Sequence, residues 1–229
     1  MPSITLFIGN HNYSSWSLRP WILLRHLGLE FEEALIPLDL PDTRARIEAV
    51  NPAGNLPLLR HGALDVWESI AICEYACELA GAGLPRDRAA RARARAAAAE
   101  MHAGFPALRA AWPMNARATG RRIALTPQLE RDVARIVGLW NDCRRRHAAD
   151  GPWLFGDYSL ADAMYAPVAL RLRTYGADVR GPAGDYLAGV LADPHLGAWL
   201  AAAAAEPWTI AAEEVGAVSA AAGRCAAPP

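Results

Sequence analysis

Apolar and β-branched residues run unbroken through Ile4, Thr5, Leu6, Phe7 and Ile8 and stop at Gly9-Asn10, which predicts a short buried strand. Leu23, Leu24 and Leu27 then fall at helical spacing, so residues 14–27 are expected to form a helix with Gly28 at its left-handed C-terminal position. Residues 29–38 alternate well enough for a second strand, and a polar connecting segment begins at Asp42. The stretch over residues 48–72 organises the rest of this first unit. Asn55, Leu56, Pro57, Leu58 and Leu59 form an apolar run entered through Pro52 and Gly54, and His61-Gly62 marks a turn. A second short run ends at Trp67, and Glu68-Ser69 opens an apolar helix that reaches Leu79. A Pro cannot donate to a sheet ladder, so Pro57 belongs at a strand's first position or edge, and a cis bond is one way to place it there. The predicted order is strand, helix, strand, connection, hairpin, helix.

Gly81-Ala82-Gly83-Leu84-Pro85 interrupts the pattern and reads as a linker. Beyond it the periodicity is helical. An Ala/Arg helix is expected over residues 86–112. Leu129, Val133, Ile136, Val137 and Trp140 form a buried stripe on a helix capped by Thr126 with Pro127 in its first turn. Ser159 can cap another helix, with Asp162 reaching back from its third position. Two more helical pieces lie over 183–191 and 195–205, and the small-residue tail from 217 is expected to be disordered. The fold class is α/β plus all-α: a first domain over 1–80, a linker over 81–87, an all-helical domain over 88–216 and a tail over 217–229.

A chain of 229 residues can bury a sizeable core, and its 53% apolar fraction is ordinary and swollen by Ala. The net charge of -1 gives no bulk field for nucleic acid or an anionic membrane, although every Lys/Arg position is Arg. The Arg residues at 88, 91, 93 and 95 read as a solvated helix face. Cys73, Cys77, Cys143 and Cys225 show no metal-ligand spacing, and the first two read as core residues four apart on one helix. No apolar run approaches a membrane span, and the N-terminus lacks a basic region followed by an apolar core. The expectation is a cytoplasmic protein with no metal, nucleic-acid or membrane partner.

Three pieces of the first domain could converge on chemistry. Tyr13, Ser14, Ser15, Trp16 and Ser17 follow a strand and open a helix, with Pro20 expected in the first turn. One of Ser14, Ser15 and Ser17 is therefore the cap, and capping alone would account for all three. Glu68 and Ser69 can likewise serve only the start of their helix, or else bind an ammonium and a carboxylate side by side, as an amino-acid head group presents them. Leu56 offers backbone groups between these two places.

The segments SSWSLR, NPAGNLPLL, ESIAICEYA and WLFGDYSLADA, in that order, resemble the glutathione transferase family, and the first is similar to its serine-type members, notably the zeta class. The resemblance extends from Ile4 to about Pro207. It implies a thioredoxin-like first domain, a helical second domain and a homodimer. It also implies that glutathione is the cosubstrate, held by Ser14, Asn55, Leu56, Pro57, Glu68 and Ser69, with Pro57 cis and Ser159 and Asp162 as a structural capping box. Ser14 would aim a hydrogen bond at the sulfur, with Ser15 as its alternate and Tyr13 a third candidate. Lowering a thiol pKa near 8.5 by two units corresponds to about 2.7 kcal/mol. A hydroxyl donor and a helix N-terminus contribute on the order of 1 kcal/mol each, so neither a protein cysteine nor a metal is required.

Trp16 stands where zeta-like members carry Cys, which argues against that class's isomerase activity. The expected reaction is attack of the glutathione thiolate on a small electrophile, with isomerase, dehalogenase, peroxidase and non-catalytic binding as alternatives. Large residues in the Ala-rich second domain, namely Met101, His102, Phe105, Arg109, Trp112, Met114 and Asn115, pack, form dimer contacts or line the electrophile pocket. His102, Phe105, Arg109, Trp112 and Asn115 are the candidates for that pocket.

Overall fold

Alternate residues of the first strand, β1 (Ile4–Ile8), point into the core, where Ile4, Leu6 and Ile8 are buried. The computed structural model describes residues 3–216, so the expected tail over 217–229 lies outside the described residues. β1 pairs in parallel with β2 (Glu32–Leu35) and antiparallel with β3 (Leu58–His61), which pairs with β4 (Leu64–Trp67), giving the order β2-β1-β3-β4. Leu6 stands opposite Leu59, and Leu59 opposite Val66, so one face of the sheet presents a continuous apolar row. Helices α1 (Ser15–His26) and α3 (Ser69–Ala80) pack together against it. The Leu56–Pro57 bond is cis and sits just before β3.

Three local expectations need correction. The polar connection holds a helix, α2 (Thr43–Val50), whose only buried residue is Ile47. The helix expected over 86–112 is two: α4 (Arg88–Ala103) ends at Gly104, Phe105 takes a left-handed φ of 61°, and α5 (Pro106–Ala111) restarts at a proline. Pro20 lies in the second turn of α1, where it leaves the Trp16 carbonyl without an i+4 amide donor.

The helical unit continues with α6 (Pro127–His147), α7 (Leu160–Thr174), α8 (Pro182–Leu191) and α9 (Pro194–Ala205). Thr126 caps α6, and Leu129, Ile136 and Trp140 are fully buried along its stripe. Trp140 meets the rings of Tyr165 and Tyr186 edge-on, at 5.8 and 4.9 Å between centroids. At the head of α7, Asp162 accepts the Ser159 backbone N–H at 2.9 Å and its hydroxyl at 2.7 Å.

α7 ties the two units together, packing against α1, α3 and α4. The Leu160 N–H also donates to the Gly83 carbonyl at 2.9 Å. Gly83 has a φ of 84°, and a Cβ there would stand 2.8 Å from the Cys77 sulfur. Cys73 and Cys77 are buried on the core face of α3, and burial pushes the Cys77 thiol up to about 12. No single helix among the described residues is long and apolar enough to cross a membrane; the bent pair α8–α9 reaches that length and composition together, with Tyr186, Val190, Leu196 and Trp199 buried against the core.

Candidate functional site

The start of α1 is built around two serine hydroxyls. Ser14 is the N-cap, and its oxygen accepts the Ser17 N–H at 3.3 Å. The two hydroxyls lie 2.7 Å apart, and Ser17 also accepts the Gly9 N–H at 3.1 Å. Ser17 is fully buried, and either hydroxyl of the pair can donate to the other. When Ser17 donates, Ser14 receives two hydrogen bonds from it and its own O–H is left to donate elsewhere. Gly9 is needed for this packing, since a Cβ there would stand 2.8 Å from Leu38 and 3.1 Å from the Ser14 Cβ.

Ser15 is held from the other unit: Arg171 of α7 donates to its hydroxyl oxygen at 3.2 Å and to the Trp112 carbonyl at 2.7 Å. Tyr13 is already engaged. Its hydroxyl donates to Glu214 at 2.7 Å and accepts from Arg117 at 3.1 Å.

The loop carrying these residues is clamped by the C-terminal segment. Glu206 accepts the backbone N–H groups of His11 and Asn12 at 2.7 and 3.1 Å, and Trp199 donates to the His11 carbonyl at 2.8 Å. The His11 ring bridges Glu206 at 2.9 Å and Glu33 at 3.0 Å. Burial disfavours charge on His11, but its hydrogen bonds to Glu206 and Glu33 and their negative charges outweigh that and raise it to about 9.

A small cavity of about 210 Å³ is lined by Trp16, Asn55, Leu56, Pro57, Glu68, Ser69 and His102. Glu68 takes a left-handed φ of 68° just before α3 and caps nothing with its side chain, so its carboxylate stays at the cavity, 3.3 Å from the Asn55 amide nitrogen. Ser69, buried at the first turn of α3, lies 3.5 Å from Arg19. His102 faces Trp16 edge-on at 5.4 Å, and burial together with Arg19 lowers its pKa, keeping the ring neutral at pH 7. A larger cleft of about 440 Å³ shares Trp16, Asn55 and Leu56 with this cavity and runs on past Tyr13, Ser14 and Ser15 to Arg109, Met114, Arg171 and Glu213. The two are halves of one groove, with Trp16 between them.

Of the expected glutathione residues, Asn55, Leu56, Pro57, Glu68 and Ser69 line the smaller half and Ser14 and Ser15 the larger. Of the five electrophile-pocket candidates, His102 and Arg109 reach the groove. Phe105 is buried at the α4–α5 break, Trp112 stacks on Tyr175 at 5.3 Å, and Asn115 donates to Glu214 at 2.8 Å. Sequence reasoning did not single out Arg19, Arg171 or Glu213. Arg19 is fully buried with its guanidinium 4.1 Å from the Trp16 ring centre, and Arg109 lies 4.7 Å from the same ring. An Arg inside the apolar run of α7 was a readable signal for Arg171, because a buried guanidinium demands partners. Among the described residues no cluster of three His, Cys, Asp or Glu side chains could hold a metal.

Residues 13–79 match the sequence family described as "Glutathione S-transferase, N-terminal domain". Protein IN2-1 of Zea mays is 27% identical over 171 residues, which span 73% of this chain and 65% of the length of that relative. A glutathione transferase homolog from Burkholderia, solved with bound glutathione, aligns with a TM-score of 0.65 at 24% identity over 89% of this chain and all of its own (100%). A glutathione transferase family member from Pseudomonas fluorescens, solved with two glutathione bound, gives 0.63 at 21% identity over 87% and 92% of the two chains. These likenesses establish the glutathione transferase fold: a thioredoxin-like first unit with a four-stranded mixed sheet, followed by a helical unit. The matched domain contributes Ser14, Ser15, Leu56, Glu68 and Ser69 to the groove, and the helical unit contributes Arg109 and Arg171.

Proposed function

We propose that this chain is a glutathione transferase of the serine type, in which Ser14 and the N-terminus of α1 turn bound glutathione into a thiolate that attacks a small electrophile. The observation that carries this reading is the continuity of the groove: the acid–hydroxyl pair Glu68–Ser69 and the Leu56 backbone open, past Trp16, onto the Ser14 hydroxyl at the start of α1. The γ-glutamyl ammonium pairs with Glu68 and its carboxylate with Ser69 at the start of α3. Leu56 hydrogen-bonds the cysteinyl unit, which brings the sulfur to Ser14. A hydroxyl that donates to the sulfur favours S⁻ over S–H, and the α1 amide end adds to that preference.

The thiol proton leaves to solvent, the sulfur bonds to the electrophilic carbon, and the leaving group departs with its electron pair. Neighbouring folds solved with glutathione and the matched N-terminal domain support the cosubstrate. In this reading residues 1–80 bind glutathione, 81–87 link, 88–216 select the electrophile, and the protein works in the cytoplasm. It acts as a homodimer, for which exposed Trp67 (52%) and Leu64 (47%) on the edge strand β4 offer apolar surface. Calorimetric titration with millimolar glutathione tests the reading. Binding weakened at least tenfold in Glu68→Gln supports it, and absence of any binding overturns it.

A further inference from the structure

We propose that Arg109 and Arg171 form a carboxylate-binding subsite in the larger half of the groove, so that the second substrate is an electrophile bearing a carboxylate. This rests on the transferase reading above for the word substrate, while the anion site itself stands on its own geometry.

Arg171 projects from α7, a helix whose residues from Leu160 to Leu172 are all buried, and is itself 4% exposed. A guanidinium in such a place needs its donors matched. Its Nε and one terminal nitrogen are matched by the Trp112 carbonyl and Ser15, but Nη1 has no partner among the described residues. Arg109 arrives from α5 with Nε and Nη2 fixed by the carbonyls of Gly104, Met101 and His102, and its Nη1 makes no hydrogen bond among the described residues. Both side chains are thus held rigidly, line the same cleft, and keep one terminal nitrogen each uncommitted.

The charges point the same way. Burial, with Arg109 nearby, lowers Arg171 to about 10, so it remains a cation at neutral pH. Arg19 adds a third positive charge beneath Trp16. Glu213 is the acid on this wall; its charge acts on Arg171, yet among the described residues it forms no ion pair with either arginine. Two guanidinium groups on one wall, each with an uncommitted terminal nitrogen, suit one planar carboxylate. The Trp16 ring beside them is an apolar platform for the rest of the ligand. The amino-acid end of glutathione is assigned to Glu68 and Ser69 on the other side of Trp16, so this pair serves a different molecule.

Two unreactive probes test the subsite: 3,5-dinitrobenzoate and its methyl ester, each titrated by calorimetry into the protein alone and into the protein saturated with S-methylglutathione. The acid anion should bind at least tenfold tighter than the ester in both settings. That preference should fall below about threefold in Arg109→Gln and in Arg171→Lys, with thermal unfolding confirming that each variant is folded. Arg109 is only half-buried, so its variant decides if the α7 variant does not fold. Equal affinity of acid and ester, an unaltered preference in Arg109→Gln, or displacement of S-methylglutathione by the acid overturns the proposal. Failure of S-methylglutathione to bind, with the anion preference intact, overturns the transferase reading and leaves the anion subsite standing.

Discussion

The Ser17 hydroxyl lies 2.7 Å from that of Ser14 and also accepts the Gly9 N–H, so a Ser17 that donates to Ser14 leaves the Ser14 O–H to donate outward. The outward O–H is what the proposed chemistry uses. Ser14→Ala is expected to cut kcat tenfold or more, equivalent to about 1.4 kcal/mol, with glutathione affinity nearly unchanged. Steady-state kinetics with a chloronitroaromatic substrate would measure this. If Ser15→Ala shows the loss and Ser14→Ala does not, the donor is Ser15, held through Arg171.

His11 links the site-bearing loop to Glu206 and Glu33, and its folded pKa of about 9 lies above its ordinary value of 6.5. A raised histidine stabilises the fold fully below pH 6.5, and that contribution disappears as pH rises through 9. The loss corresponds to about 3 kcal/mol. Glu33 is shifted the other way: burial alone would raise it, but its bond to His11 lowers it, so its share is lost as pH falls below 4.5. Thermal unfolding should therefore show highest stability between pH 4.5 and 6.5, then a fall toward pH 9. In His11→Gln that alkaline fall should flatten; an identical pH profile in the variant would refute the assignment.

Asp162 accepts hydrogen bonds from Leu154, from the backbone and hydroxyl of Ser159, and from Tyr186, all in a fully buried setting. Removing the carboxylate leaves several buried donors unmatched, each at a cost of about 1–3 kcal/mol. Asp162→Ala should lower unfolding stability by at least about 3 kcal/mol, or roughly 6–12 °C in Tm for a chain of this size. A loss under about 1 kcal/mol in denaturant titration would contradict the role given to this residue.

The features legible in the sequence were those with a local signature. β1, the 69–80 helix and the Trp140 stripe follow from spacing, and the Leu56–Pro57 and Glu68–Ser69 pieces from short motifs whose residues stay close in the fold. α2 escaped because a helix with one buried residue has no apolar stripe to read. The break at Phe105 escaped because Ala-rich sequence on both sides suits helix, and only Gly104 and Pro106 mark the interruption. Arg171 reaches Ser15 across 156 residues and Glu206 reaches His11 across 195, separations over which no periodicity carries information. Trp112 and Asn115 were singled out for their size and polarity, which the fold spends on a Tyr175 stack and on holding Glu214.

In the proposed reaction this groove makes a thiolate without a protein cysteine or a metal. Ultraviolet difference absorbance of the bound thiolate, followed as a function of pH at saturating glutathione, tests it most directly. The bound thiol should titrate about two units below the roughly 8.5 of a free thiol, and Ser14→Ala should restore at least about one of those units. Glutathione that binds but titrates unshifted, or shifts equally with and without the Ser14 hydroxyl, would contradict it.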